Sequence, residues 1–148
     1  MNGNGAMTDT DRLRVLIVED EALIAMMAED MIEELGADAV LTAGSVAEAE
    51  TAIAAGGFDF AILDVNLNGD NSMSLATLLK ARGVPFAFTT GYGAGGVEEA
   101  HQDVPVLTKP YTIEELGGAL ARGRATIRDQ APAAGTSSMM SSVDSNLG

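Results

Sequence analysis

FDFAILDVNLNGDN, residues 58–71, admits two readings that exclude each other. From Asp64 it spells D-x-N-x-N-G, the opening of an EF-hand calcium loop; from Phe58 to Asp64 it is an apolar run closed by a carboxylate. An EF-hand loop needs oxygen ligands at its odd positions, a bidentate Glu at the twelfth and a helix on either side. Counted from Asp64, the twelfth residue is Leu75, which offers no oxygen. Phe60, Ala61, Ile62 and Leu63 form a short apolar run between Gly56-Gly57 and Asp64, which suits a buried strand better than an entering helix. The stretch therefore predicts a strand ending in Asp64, with Asn68, Gly69 and Asp70 as turn formers.

Outward from this strand, apolar runs alternate with segments of helical period. RVLIV (14–18) precedes ALIAMMAEDMIEELG, in which Leu23, Met27, Met31 and Leu35 recur every four residues and are expected to fill the core, with Gly36 as the stop. DAVLTA (38–43) precedes SVAEAETAIAAGG, where Ser45 and Glu48 form a capping box. A shorter helix is expected over 72–81. FAFTT (86–90), introduced by Pro85, leads through the glycine-rich GYGAGG (91–96) to a weak helix near Val97–His101, on which His101 is expected to be exposed. VPVLT (104–108) runs to Lys109-Pro110, and a last helix starts at Thr112, boxed with Glu115, and continues to about Ile127. Five strands alternating with five helices specify an α/β doubly wound sheet with parallel strands, and near-continuous apolar strands fit burial on both faces. Residues 1–11 and 129–148 lack periodicity and are expected to be flexible tails around one domain, 12–128.

The 148 residues suit one domain with a real core, and a hydrophobic content of 47% excludes a disordered chain. The absence of cysteine excludes disulfides, thiolate metal sites and cysteine nucleophiles. No basic n-region and no apolar stretch of membrane-spanning length occurs, so a cytoplasmic protein without membrane contact is expected. The formal charge is −14, and no Lys or Arg lies between Arg14 and Lys80, which argues against nucleic acid as a partner.

The strand ends carry the chemistry. The first finishes in Glu19-Asp20, the third in Asp64, the fourth in Thr89-Thr90 and the fifth in Thr108-Lys109. In a parallel α/β sheet these ends share one edge, where ligands bind beside the topological switch point. Carboxylates crowded there repel one another, and a hard divalent cation such as Mg²⁺ relieves the repulsion while keeping positions open for water or phosphate. A carboxylate at the metal can attack a phosphoryl group, with Lys109 and Thr90 to stabilise the transferred oxygens.

VLIVEDE, FAILDVNLNG, PFAFTTG and VLTKPY, spread over roughly Arg12 to Arg128, resemble the response-regulator receiver domain. The resemblance implies a flavodoxin-like sheet of strand order 2-1-3-4-5. It implies that Asp64 is the phosphoacceptor, Asp20 a direct Mg²⁺ ligand, Glu19 its acidic neighbour and Asn66 a metal ligand through its backbone carbonyl. Thr90, five residues after Pro85, then matches the switch hydroxyl in preference to Thr89. Lys109 matches the phosphate-binding lysine, and its bond to Pro110 is often cis in such domains. Two positions depart from the usual pattern: Val106 stands where most receivers carry a rotating aromatic switch, and Gly91 follows the switch hydroxyl in place of Ala. PFAFTTG resembles an alphaproteobacterial subgroup of stand-alone receivers reading Pro-Phe-x-Phe-Ala-Thr-Gly, whose neighbours include kinases of the HWE class. Signalling would then run through Thr90, Gly91, Tyr92, Val106, Pro110 and Tyr111.

The function implied is that of a monomeric, single-domain response regulator. It would take phosphate from a histidine kinase or histidine phosphotransfer protein, signal to a downstream protein, and act as an enzyme only in its own Mg²⁺-dependent phosphorylation and dephosphorylation. A phosphate sink or shuttle, and a phosphorylation-independent interaction module, are the competing readings.

Overall fold

The computed structural model describes residues 12–91 and 97–130. Five parallel strands form the sheet: β1 (Arg14–Val18), β2 (Asp38–Ala43), β3 (Phe60–Asp64), β4 (Phe86–Thr90) and β5 (Val106–Thr108). Their order is β2-β1-β3-β4-β5, as expected. Four α-helices accompany them: α1 (Ala22–Glu34), α2 (Val46–Ala55), α3 (Met73–Ala81) and α4 (Ile113–Gln130). The expected tail 1–11, residues 131–148 of the expected tail 129–148, and residues 92–96 of the glycine-rich link lie outside the described residues; 129 and 130 are not tail but continue the last helix.

Because strand side chains alternate between faces, each strand feeds two cores. Val15 and Ile17 of β1 with Phe60 and Ile62 of β3 pack under α1 and α4, against Ala28, Ile32, Leu116 and Leu120. Leu16 and Val18 with Ala61 and Leu63 face the other way, against Ala49, Ile53, Leu75 and Leu79 of α2 and α3. This double burial is why the strands read as unbroken apolar runs.

The capping boxes form with one difference. The Thr112 hydroxyl accepts from the Glu115 N–H at 3.1 Å and the Glu115 carboxylate accepts from the Thr112 N–H at 2.8 Å. At α2, Ser45 caps the Glu48 N–H at 3.1 Å, but the Glu48 carboxylate reaches one residue further back, to the Gly44 N–H at 2.8 Å.

Three expectations need correction. Among the described residues the helix expected near Val97–His101 is a single 3₁₀ turn, Glu99–His101. Pro105 follows too soon for a helix to extend, since the residue before a proline is pushed from helical geometry. His101 is not exposed: it is buried at 4% exposure, its ring 6.2 Å from that of Phe88. On α1 the four-residue series does not face the core, since Leu23 is 70% and Met27 50% exposed, and the buried wall is Ala25, Ala28 and Ile32. A repeat of four overshoots the helical turn by about 40° per step, so the series winds round the helix and only Met31 and Leu35 reach the core margin.

The decisive stretch resolves as a strand and a small hairpin. Asn66–Leu67 pairs antiparallel with Asp70–Asn71 around Asn68-Gly69. Both turn residues have positive φ, 53° and 89°, as a type I′ turn requires, which asparagine and glycine best tolerate. Leu75, in the would-be calcium-ligand position, is wholly buried in the core.

Positive charge sorts to the edge where the strands begin. There Arg12 pairs with Asp38, Arg14 with Asp59 at 3.5 Å, and Lys80 with Asp103 at 2.9 Å.

α4 lies close against the sheet at Gly123. A Cβ on Gly123 would overlap the ring of Phe60, a fully buried residue, whereas one on Gly118 in the same helix would meet nothing within 4 Å. Helix propensity favours Ala over Gly at both sites by up to about 1 kcal/mol, but overpacking costs about 1 to 3 kcal/mol. Gly118→Ala should therefore raise stability by about 0.5 to 1 kcal/mol and Gly123→Ala lower it by about 1 to 2 kcal/mol in urea unfolding. Equal shifts of the same sign would contradict this packing.

Candidate functional site

Where β1, β3, β4 and β5 end, an open crevice of about 430 Å³ is lined by Asp20, Glu21, Ile24, Asp64, Asn66, Thr90, Gly91 and Lys109. The polar groups arrive on four separate chain segments. Asp64 is the last residue of β3 and is buried to 5% exposure; Glu19, just past β1, is buried to 6%. Lys109 follows β5, its N–H donating to the Thr90 carbonyl at 2.8 Å, and the Lys109-Pro110 bond is cis.

The centre of the site is an ion-pair fork. Lys109 Nζ lies 2.8 Å from Glu19 Oε1 and 2.9 Å from Asp64 Oδ2. The remaining oxygens are held by backbone N–H groups: Asp64 Oδ1 accepts from Asn66 at 3.1 Å and Glu19 Oε2 from Glu21 at 3.1 Å. Asp20 Oδ2 accepts from the Asn68 N–H at 3.2 Å, which ties the turn of the hairpin to the site. The Asn66 side chain turns away, its Oδ1 accepting from the Gly69 N–H at 2.8 Å.

One ammonium cannot neutralise two carboxylates and their neighbour Asp20. Burial pushes the Glu19 carboxyl up from its usual range, opposed by the hydrogen bonds from Lys109 and the Glu21 N–H and reinforced by the charge of Asp64. Burial works against the Lys109 ammonium, yet the bonds to Glu19 and Asp64 outweigh it and hold the group above its ordinary value. The Lys109 shift comes from its two carboxylate partners, that of Glu19 first from burial and only then from the charge of Asp64. Ligand oxygens of Glu19, Asp20 and Asp64 all lie within 4.8 Å of one another. Hard oxygen donors, excess negative charge and an open crevice fit a divalent cation such as Mg²⁺.

The other expected positions divide. Thr90 and Gly91 line the crevice, whereas Thr89, one residue earlier and so on the opposite side of β4, does not. Tyr92 lies outside the described residues. Val106 packs half-buried against the α2–α3 core and does not line the crevice. Pro110 and Tyr111 instead line an apolar hollow of about 280 Å³ with Ile24, Met27, Ala28 and Met31 of α1. Burial, helped by the charge of Glu19, raises the Tyr111 phenol above its usual value. Ser72, which the sequence marks only as the start of a helix, is fully buried and bonded to the backbone of Asp64. No spacing rule points to it, because its partner is a carbonyl, which every residue has.

Comparison with known proteins agrees with this geometry. The family described as the response regulator receiver domain matches residues 15–121. The solution structure of SdrG from Sphingomonas melonis Fr1 is similar at 46% identity and a TM-score of 0.69, covering 76% of this chain and 96% of that one. The receiver domain of PhyR from Erythrobacter litoralis is similar at 28% identity and a TM-score of 0.66, over 76% of this chain and 89% of that one. The transcriptional regulatory protein PdtaR of Mycobacterium tuberculosis is 31% identical over 119 residues, 76% of this chain, and the chain spans only 58% of that protein's length. No helix among the described residues is long and apolar enough to cross a membrane. With the family profile laid over the strands whose ends build the acidic crevice, the chain belongs to the response regulator receiver domain family.

Proposed function

We propose that this receiver domain accepts a phosphoryl group on Asp64 from a histidine kinase, of the HWE class by the resemblance of PFAFTTG, or from a histidine phosphotransfer protein, and signals by altered binding to a downstream protein. The observation that carries this reading is the fork in which Lys109 reaches both Glu19 and Asp64 beside an open crevice. Receiver domains are phosphoacceptor signalling domains rather than enzymes acting on an external substrate.

Asp64 is well placed as the nucleophile. Its Oδ1 is fixed by the Asn66 N–H and its Oδ2 by Lys109. A carboxylate oxygen bonds to phosphorus as the donor's P–N bond breaks; the electron pair leaves on the imidazole nitrogen, which takes a proton from solvent. Lys109 is then at hand for the transferred oxygens, and Thr90 lines the crevice from the β4 side. Glu19, Asp20, Asp64 and the Asn66 carbonyl would hold Mg²⁺. When bound, the ion offsets the surplus negative charge and that of the incoming phosphoryl oxygens.

Mg²⁺ at ten times its dissociation constant should stabilise the fold by about 1.4 kcal/mol through mass action. Asp20→Asn should remove most of that gain and leave the metal-free protein as stable as the wild type or more so, because one repulsive charge is gone. Thermal unfolding with and without Mg²⁺ reads both effects; an unchanged response in Asp20→Asn would place the ion elsewhere.

Asp64→Asn keeps the shape of the side chain and removes the nucleophile, so transfer of label from a phosphohistidine donor should vanish. Retained labelling at the wild-type rate would refute Asp64 as the acceptor.

A further inference from the structure

Ser72 stands directly before α3 and is shut off from solvent. A serine in that place ordinarily accepts an N–H of the first helical turn. Here it makes no such cap. Its hydroxyl faces backward instead, 2.6 Å from the carbonyl oxygen of Asp64 and 3.1 Å from that of Val65. A hydroxyl has one proton to donate, and the shorter contact takes it. The Val65 carbonyl is served independently by the Ser72 N–H, at 3.0 Å.

Two consecutive peptide planes are thus gripped at both ends. The plane joining Asp64 to Val65 has its carbonyl on the Ser72 hydroxyl and its N–H on the Thr89 carbonyl at 2.9 Å. The plane joining Val65 to Asn66 has its carbonyl on the Ser72 N–H and its N–H on Asp64 Oδ1 at 3.1 Å. Because the peptide unit is planar, holding the carbonyl aims the N–H on its far side. The second plane therefore aims a donor at the carboxylate, and the first fixes the backbone from which that carboxylate springs.

We infer that Ser72 is a positioning residue for the acceptor: its hydroxyl, by holding the first plane, sets the orientation of the Asp64 carboxylate, with Oδ1 on the Asn66 N–H and Oδ2 toward Lys109. The second plane hangs on the Ser72 N–H, which any residue there but proline would keep. The inference rests on the reading of Asp64 as the phosphoacceptor. In-line attack tolerates little misplacement of the nucleophile, and a shift of about 1 Å can slow such a step about 100-fold. Ser72 touches neither donor nor phosphoryl group in this scheme and acts only through the backbone of Asp64 and Val65.

The test uses Ser72→Ala and Ser72→Cys, which keeps the volume but supplies only a weak donor. Ile53→Val, on α2 and away from the site, serves as a control for lost stability alone. With acetyl phosphate and Mg²⁺, both Ser72 variants should be labelled about 10-fold or more slowly than wild type, and Ile53→Val at the wild-type rate. Amide hydrogen exchange at Val65, whose peptide plane the hydroxyl holds, should also quicken about 10-fold in both Ser72 variants, with Ala61 to Leu63 unchanged. Wild-type labelling in Ser72→Cys, or unchanged exchange at Val65 in either variant, would overturn the inference. If the wild type itself takes no label, the function proposed for Asp64 fails, and the exchange measurement alone decides whether the Ser72 hydroxyl holds the Asp64–Val65 plane.

Discussion

The site is organised by the bond from Lys109 to two buried carboxylates at once, Glu19 and Asp64. Removing two carboxylates from water is costly unless they are paired and hydrogen-bonded. Lys109 makes their burial tolerable without making it balanced: one positive charge faces two negative ones, with Asp20 beside them. The crevice therefore carries more negative charge than its one ammonium balances, and the chain offsets it only in part with backbone N–H groups from Glu21, Asn66 and Asn68. A site balanced in its resting state would have little to gain from an incoming ion.

That imbalance is sustained by a rigid frame. The acids and the lysine sit at the ends of strands whose side chains feed two cores at once, so no strand can slide without exchanging its faces. Phe60, at the head of the strand that ends in Asp64, is pinned by α4 at Gly123. The acceptor strand is thus held at its beginning by packing and at its end by the hydroxyl of Ser72.

Much of this was legible in the amino-acid order, because it depends on local pattern joined to a topological rule. Apolar runs ending in Glu19-Asp20, Asp64, Thr90 and Lys109 needed only the parallel order of strands to be brought to one edge. The Asn68-Gly69 turn announced itself through residues that tolerate positive φ. What escaped depends on contacts between distant segments. The burial of His101 comes from Phe88, thirteen residues earlier, which periodicity cannot register. The buried side of α1 is decided by small residues, Ala25 and Ala28, that let the helix approach the sheet, while the larger Leu23 and Met27 remain outside. Gly123 looks like a blemish in a helix until Phe60 is placed beneath it.

Arg12, Arg14 and Lys80, at the edge where the strands begin, are each balanced by an aspartate, whereas the acids at the opposite edge outnumber their one lysine, which gives the molecule an electrical direction. The acidic crevice lies at the other end, about one strand length away. A chain of net charge −14 would in any case repel acidic neighbours, but a lopsided one also turns in the field of whatever approaches. A partner with a basic rim meets the crevice end first, before any contact is made, and added salt blunts that guidance over a Debye length of about 8 to 10 Å. The same excess of acid that crowds the strand ends thus also orients the encounter.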